Sequence, residues 1–195
     1  MTRQVTYGGG REMLIAATVE VVAEAGLRGF TFRSVAHRAG VSNGLIAHHF
    51  GTRHALLVAA MEWAVDNAIE STHLAGVIRG EVSPEEFVGS IADFPEVHAF
   101  QSEMILEARR NEAFRAPIRE LYERYQRAAD GAVRSLGIDD GSASLARRAF
   151  AFLDGVVLQS MAGVDRRTLV GAVSDLQRDV RERATAARAA SPAAG

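Results

Sequence analysis

Residues 29–61 read GFTFRSVAHRAGVSNGLIAHHFGTRHALLVAAM, and the punctuation of this stretch decides the fold. Thr31 is a good N-cap for a short helix over 32–39. The spacing there turns Val35, Ala36 and Ala39 inward and Arg33, Ser34, His37 and Arg38 outward. Gly40 and Val41 form a turn, Ser42 caps a second short helix over 43–49, and Gly51 breaks it. Thr52 then caps a long helix that begins at Arg53. Two short helices joined by a Gly-Val turn have helix-turn-helix spacing. In that motif the second helix enters the major groove of DNA, and its first residues reach the base edges.

Helical phase assigns the second short helix its faces. Ile46 and Phe50 lie four apart and face the core, which leaves Asn43, Gly44, Leu45, Ala47 and His48 outward and His49 on the flank. Asparagine reads adenine with two hydrogen bonds, Gly44 lets the backbone come close, and Leu45 is suited to a thymine methyl. Arg33, on the preceding helix, suits a guanine. Thr31, His48, His49, Thr52 and Arg53 suit phosphate oxygens, and Ser42, at the head of the reading helix, stands beside them.

Four of the six histidines, His37, His48, His49 and His54, crowd into this region, so a metal centre and a catalytic pair must be weighed. Adjacent helical residues diverge by about 100°, so His48 and His49 do not easily share an ion. No pair of them has i, i+4 spacing, and no Asp or Glu lies between Glu24 and Glu62. No nucleophile stands ready either, since Ser42 serves as a cap. The favoured reading places His48 and His49 against DNA, with His49 packed on the first helix as the alternative.

With these residues in view, the stretch resembles the N-terminal domain of the TetR family of bacterial transcriptional regulators. The likeness rests on the Thr, Arg, Val-Ala, AGVS and closing Phe and Leu-Leu signals, dense over some 50 residues. Two departures stand out: Ala47 replaces the usual tyrosine, a phosphate contact, and Arg53 replaces the usual lysine with its charge kept. Within the family, GLIAHHF is more similar to the choline-responsive repressors of betaine synthesis than to the tetracycline repressors, a likeness that identifies no ligand. The resemblance implies an all-α fold, a C2 homodimer paired through its last two helices, and a pocket for a small-molecule inducer.

The whole chain agrees. Its 195 residues suffice for a head and a helical body, and its composition is that of an ordinary globular protein. It has no cysteine, which excludes disulfides and thiolate metal sites. No apolar run approaches the ~20 residues of a membrane helix, so a cytoplasmic protein without membrane partners is expected. Residues 1–54 carry six arginines against three acids, whereas the remainder carries 16 against 21. A basic head on a mildly acidic body suits nucleic-acid binding. We therefore expect a DNA-binding domain over 1–52 and a ligand-binding and dimerisation domain over 53–195.

Apolar periodicity predicts about nine helices: 11–25 with Gly26 as its C-cap, the two short ones, 53–75, 84–91, 95–111, 114–136, 142–162 and 168–189, with loose ends. Large residues concentrate between Trp63 and Tyr125, and Trp63, Phe87, Phe100, Met104, Glu107, Tyr122 and Tyr125 are the candidate ligand pocket, with His73, His98 and Glu103 interleaved. Phe152, Val156 and Gln159, with Val173, Leu176 and Val180, trace stripes expected at the dimer interface. One short reading helix covers too few base pairs to select an operator, whereas two spaced about 34–36 Å apart read a palindrome. The function expected is an inducer-released repressor that needs no cofactor or metal. A DNA-binding head on a protein-interaction body is the alternative, and an enzyme would need a constellation that the sequence does not offer.

Overall fold

In the computed structural model, residues 9–71, 74–138 and 144–190 are described, without the side chains of 68–71, and every regular element among them is helical. The elements are α1 (Gly9–Gly29), α2 (Phe32–Ala39), α3 (Asn43–Phe50), α4 (Arg53–Ser71), α5 (Leu74–Arg79), α6 (Pro84–Asp93) and α7 (Pro95–Arg110). A single 3-10 turn (Glu112–Phe114) leads to α8 (Arg115–Ser135), α9 (Ser144–Met161) and α10 (Arg166–Ala190). Among the described residues the helix expected over 53–75 is seen as α4 to Ser71 and again from Leu74 as α5, which runs on to Arg79. His73 and the chain ends lie outside the described residues.

Contacts gather into two compact units, Met1–Asn67 with Glu96–Arg119, and Ala68–Pro95 with Glu120–Gly195. In the first, α1 packs on both α2 and α3. Leu14, Val22, Phe30, Val35, Ile46 and Leu56 are fully buried there. Each such side chain removed from water contributes about 1.5–3 kcal/mol before chain entropy is subtracted. The buried Thr18 hydroxyl is satisfied by donating to the Leu14 carbonyl at 2.8 Å. Elsewhere in this unit the Gln101 amide donates to the Ala64 carbonyl at 3.2 Å and ties α7 to α4. The C-cap expected at Gly26 is instead a break inside α1. Gly26 takes φ 63° and ψ 179°, a region open essentially only to glycine, and the helix resumes for one short turn.

In the second unit α10 packs against α5, α6 and α9, and α6 against α9. Val77, Phe87, Ala129, Leu153, Leu169 and Val173 belong to its core. At its centre the Gln177 side chain is 5% exposed. Its amide donates to the Val77 carbonyl at 2.9 Å and to the Val82 carbonyl at 2.8 Å. One side chain of α10 thereby bonds a carbonyl in the last turn of α5, which also accepts from the Gly80 N–H, and one in the loop beyond. Replacing it with an apolar side chain leaves the Val82 carbonyl without its donor and the Val77 carbonyl with only the Gly80 N–H, at 3.1 Å. Gln177→Leu should lower stability by about 1–3 kcal/mol, read from the urea-unfolding midpoint at unchanged m-value.

Candidate nucleic-acid interface

The reading surface is assembled from local capping upward. Thr31 and Ser34 form a reciprocal capping box: the Thr31 hydroxyl accepts from the Ser34 N–H at 3.0 Å, and the Ser34 hydroxyl accepts from the Thr31 N–H at 2.9 Å. Gly40 closes α2 in the left-handed conformation at φ 68° and ψ 30°, and the Val41 N–H donates to the Ala36 carbonyl at 2.9 Å. This turn sets the direction in which α3 departs. Ser42 occupies the N-cap position expected of it, yet its side chain makes no capping hydrogen bond, which leaves the hydroxyl at the exposed head of α3.

Three stripes run along α3. Ile46 is fully buried and Phe50 half-buried, with the Arg11 guanidinium 5.3 Å from the Phe50 ring centre. Leu45 and His49 form the second stripe, and both reach towards Gly10 at the start of α1, where a β-carbon would meet Leu45 Cδ2 and His49 Nε2 at 3.5 Å. Leu45 is accordingly half-buried, not fully outward, whereas His49 remains exposed. Asn43, Gly44, Ala47 and His48 make the third stripe, and all four are exposed. The His48 and His49 rings meet edge to face at 5.3 Å between centres. Among the described residues no group of three or more His, Asp or Glu side chains could hold a metal ion.

The arginines of the head differ in what they hold. Arg33 is exposed beside Thr31. Arg38, read from sequence only as an outward cation, pairs with Glu20 at 3.1 Å and with Glu24 on α1. These carboxylates hold the guanidinium pKa well above its usual value, and Arg38 in turn lowers that of Glu24. Two acids four residues apart on α1, one helix away from a lone arginine, were the sequence signal for this clamp. Arg53 also braces the fold, since its guanidinium donates to the Phe30 carbonyl at 2.6 Å and lies 5.0 Å from the Phe30 ring centre, although the residue remains exposed. Thr52 caps α4 by accepting from the Ala55 N–H at 3.1 Å.

The candidate ligand residues divide between the two units. Trp63, Phe100, Met104 and Glu107 belong to the first and Phe87, Tyr122 and Tyr125 to the second. Phe87, Phe100 and Met104 are fully buried. Tyr122 and Tyr125 lie against Phe150 at 5.8 and 5.3 Å between ring centres. Burial, then the neighbouring Asp154 carboxylate, pushes the Tyr122 phenol up to about 12. Of the candidate dimer residues, Val156, Val173 and Val180 are spent on the core of their own chain, and Leu176 packs against that core. Phe152 and Gln159 remain exposed, joined on α9 by Leu158 and Met161.

His98 on α7 is only 4% exposed, and among the described residues its Nε2 has no hydrogen-bond partner. Burial pushes this imidazole down from 6.5 to about 4. The unfolded chain therefore binds more protons between those values. The stability owed to neutral His98 is complete above pH 6.5 and is lost as pH falls towards 4. Denaturant unfolding of wild type against His98→Leu from pH 7.5 to 4 should show the wild type losing stability faster, by up to about 1.4 kcal/mol per pH unit.

Comparison with known proteins follows the same division of the chain. Residues 14–60 match the family described as bacterial regulatory proteins, tetR family, and residues 83–189 match the tetracyclin repressor-like C-terminal domain. The chain is 38% identical over 86 residues to the HTH-type transcriptional regulator BetI 1 of Chromohalobacter salexigens, covering 43% of this chain and 41% of that one. It is 49% identical over 51 residues to BetI of Burkholderia thailandensis, 26% of either chain. These alignments span less than half of the curated relatives. Among solved structures, a transcriptional regulator from Rhodococcus sp. is similar with a TM-score of 0.69 at 23% identity, over 89% of this chain and 97% of that one. A second Rhodococcus structure, a putative TetR-family regulator, gives 0.66 at 25% identity over 86% and 97%.

Proposed function

We propose that this chain, which belongs to the TetR family of bacterial regulatory proteins, is a DNA-binding transcriptional repressor that grips a palindromic operator as a homodimer and is released by a small-molecule inducer. The observation that carries this reading is the exposed stripe Asn43, Gly44, Ala47 and His48 on α3, with no acidic residue between Glu24 and Glu62. Asn43 and Arg33 supply base-reading groups, and Gly44 and Ala47 lack the bulk that would hold the helix off the groove. Thr31, Ser42, His48, His49, Thr52 and Arg53 supply the phosphate contacts that fix its register. Leu45, half-buried beside Gly10, contributes its edge more than its face. The functional division falls at 52/53, and the protein acts in the cytoplasm, where its DNA target lies.

Two copies are needed because a two-turn helix reads too little sequence. The face available for pairing is the outer side of α9, where Phe152 is 39% and Leu158 52% exposed, beside Gly155 and Gln159. Release is supported by the Arg53 tether: a shift in the first turn of α4 pulls on Phe30, one residue before the capping box of α2. An inducer that prefers the released form by about 1–3 kcal/mol suffices. The buried, unpartnered His98 Nε2 is a group that an inducer could satisfy within the body.

Selection of duplexes from a random pool by the full chain should return a palindrome. Asn43→Ala and Arg33→Ala should each cost about 1–3 kcal/mol of affinity for it while leaving non-specific DNA binding intact. Selection without enrichment, or variants that discriminate like wild type, would refute the assignment of α3. A separate measurement addresses pairing: in sedimentation velocity the double variant Phe152→Glu with Leu158→Glu should run as a folded monomer where wild type runs as a dimer.

A further inference from the structure

The chain contains three asparagines, Asn43, Asn67 and Asn111, and of these Asn43 alone is followed by glycine. Asparagine amides are among the thermolabile groups of proteins. Their decay is internal: the backbone nitrogen of the next residue attacks the side-chain carbonyl carbon. The rate depends on how freely that nitrogen reaches Cγ, and a β-carbon on the next residue obstructs it. Glycine has no β-carbon and turns through backbone angles closed to other residues.

The peptide between Asn43 and Gly44 is open on each count. Both residues are exposed. The Gly44 N–H is the second amide of α3 and has no acceptor inside the helix. An N-cap hydroxyl ordinarily accepts from the second or third such amide, yet the Ser42 side chain makes no capping hydrogen bond. In this turn it is the Leu45 N–H that is held, donating to the Ser42 carbonyl at 3.1 Å. Among the described residues neither the Gly44 N–H nor the Asn43 side chain has a partner. A β-carbon on Gly44 would meet Ser42 Oγ at 3.8 Å and nothing closer, so the space around the peptide is free. The other two asparagines are tied down. Asn67 Nδ2 donates to the Trp63 carbonyl at 2.8 Å within α4, and Asn111 Oδ1 accepts from the Ala113 N–H at 3.2 Å. The positive end of α3 favours an amide nitrogen that has lost its proton and, later, a new carboxylate. No acid lies in the sequence between Glu24 and Glu62, so α2, α3 and the first turns of α4 offer no opposing charge.

We propose that Asn43 is a site of spontaneous deamidation, and that the product no longer reads DNA as the parent does. Hydroxide takes the Gly44 amide proton, and that nitrogen bonds to Asn43 Cγ. The Cγ–Nδ2 bond breaks, Nδ2 takes a proton from water and leaves as ammonia, and a cyclic succinimide remains. Water then opens the ring at either carbonyl carbon, which gives aspartate or isoaspartate at this position. No oxidant or reductant takes part. A carboxylate in the first turn of a helix is favoured, so the product stays folded. It has lost the N–H donor that pairs with adenine N7, and it meets phosphates with a like charge. The consequence for DNA rests on the proposed reading of α3. The chemistry does not, and it is measured without DNA.

The full chain is incubated in mildly alkaline buffer, digested with trypsin at intervals and read by mass spectrometry. Cleavage after Arg38 and Arg53 releases residues 39–53, which hold Asn43 and neither of the other asparagines. That peptide should gain the mass of an NH2-to-OH exchange and split into two chromatographic peaks, several-fold faster than the peptides carrying Asn67 or Asn111 change. Gly44→Ala, for which there is room, should slow the change several-fold. Asn43→Asp should keep the wild-type melting temperature and weaken binding to the operator selected by fresh wild type about tenfold or more. The proposal fails if the 39–53 peptide keeps its mass, if Asn67 or Asn111 converts as fast, or if Gly44→Ala converts like wild type. It fails also if Asn43→Asp binds that operator undiminished. Should fresh wild type select no operator, the DNA-binding reading falls and the rate comparisons still decide the modification.

Discussion

A two-turn helix cannot hold itself together in water, and the rest of this head follows from that constraint. α2 and α3 have eight residues each, well short of the ~12–15 at which isolated helices become even marginal. Their stability is borrowed from α1, against which both pack. α3 gives up Ile46 entirely and Phe50 in part for that support, and leans Leu45 and His49 on the start of α1. What remains of its circumference is one stripe, and the chemistry of that stripe is the chemistry open to the protein. The capping box at Thr31 and the left-handed turn at Gly40 then aim the stripe outward.

Charge is spent on the same problem before it is spent on DNA. From sequence, the arginines of the first quarter look like a uniform basic surface. Structurally, Arg38 is a clamp between α2 and α1, and Arg53 a strut from α4 to Phe30. Arg33 is left exposed on α2, as His48 and His49 are on α3. On the proposed DNA-binding reading, the exposed small residues Gly44 and Ala47 are what opens the groove to this helix. That gives the departure at Ala47 a physical sense: with no large side chain there, the backbone of α3 can lie closer to its target.

The head was legible in the sequence because its signals are local. N-cap residues, the Gly-Val turn and the Ile46 to Phe50 spacing each constrain a few neighbours, and the structure places them accordingly. The signals that misled were those with more than one physical cause. Gly26 announced a stop and is a break, since its backbone angles interrupt α1 without ending it. A helix was expected to stop at residue 75, yet Leu74, Val77 and Ile78 lie on a helix that continues to Arg79, where Gln177 from a hundred residues away bonds the Val77 carbonyl. Nothing local encodes that bond. The candidate pocket residues share size and apolarity, which select equally for core, and Phe87, Phe100 and Met104 went there.

The stripes on α9 carry the same ambiguity in its most instructive form. Val156 and Val173 are apolar because they face their own chain, and periodicity reports that burial without saying what does the burying. The information about a partner lies in the residues that break the amphipathic rule. Having committed Leu145, Ala149, Leu153 and Val156 inward, α9 leaves Phe152 exposed at the edge of that stripe and Leu158 exposed on the opposite side, where Arg147 also stands. Exposed large apolar side chains on a helix that already has its buried stripe mark where burial by the described chain stops.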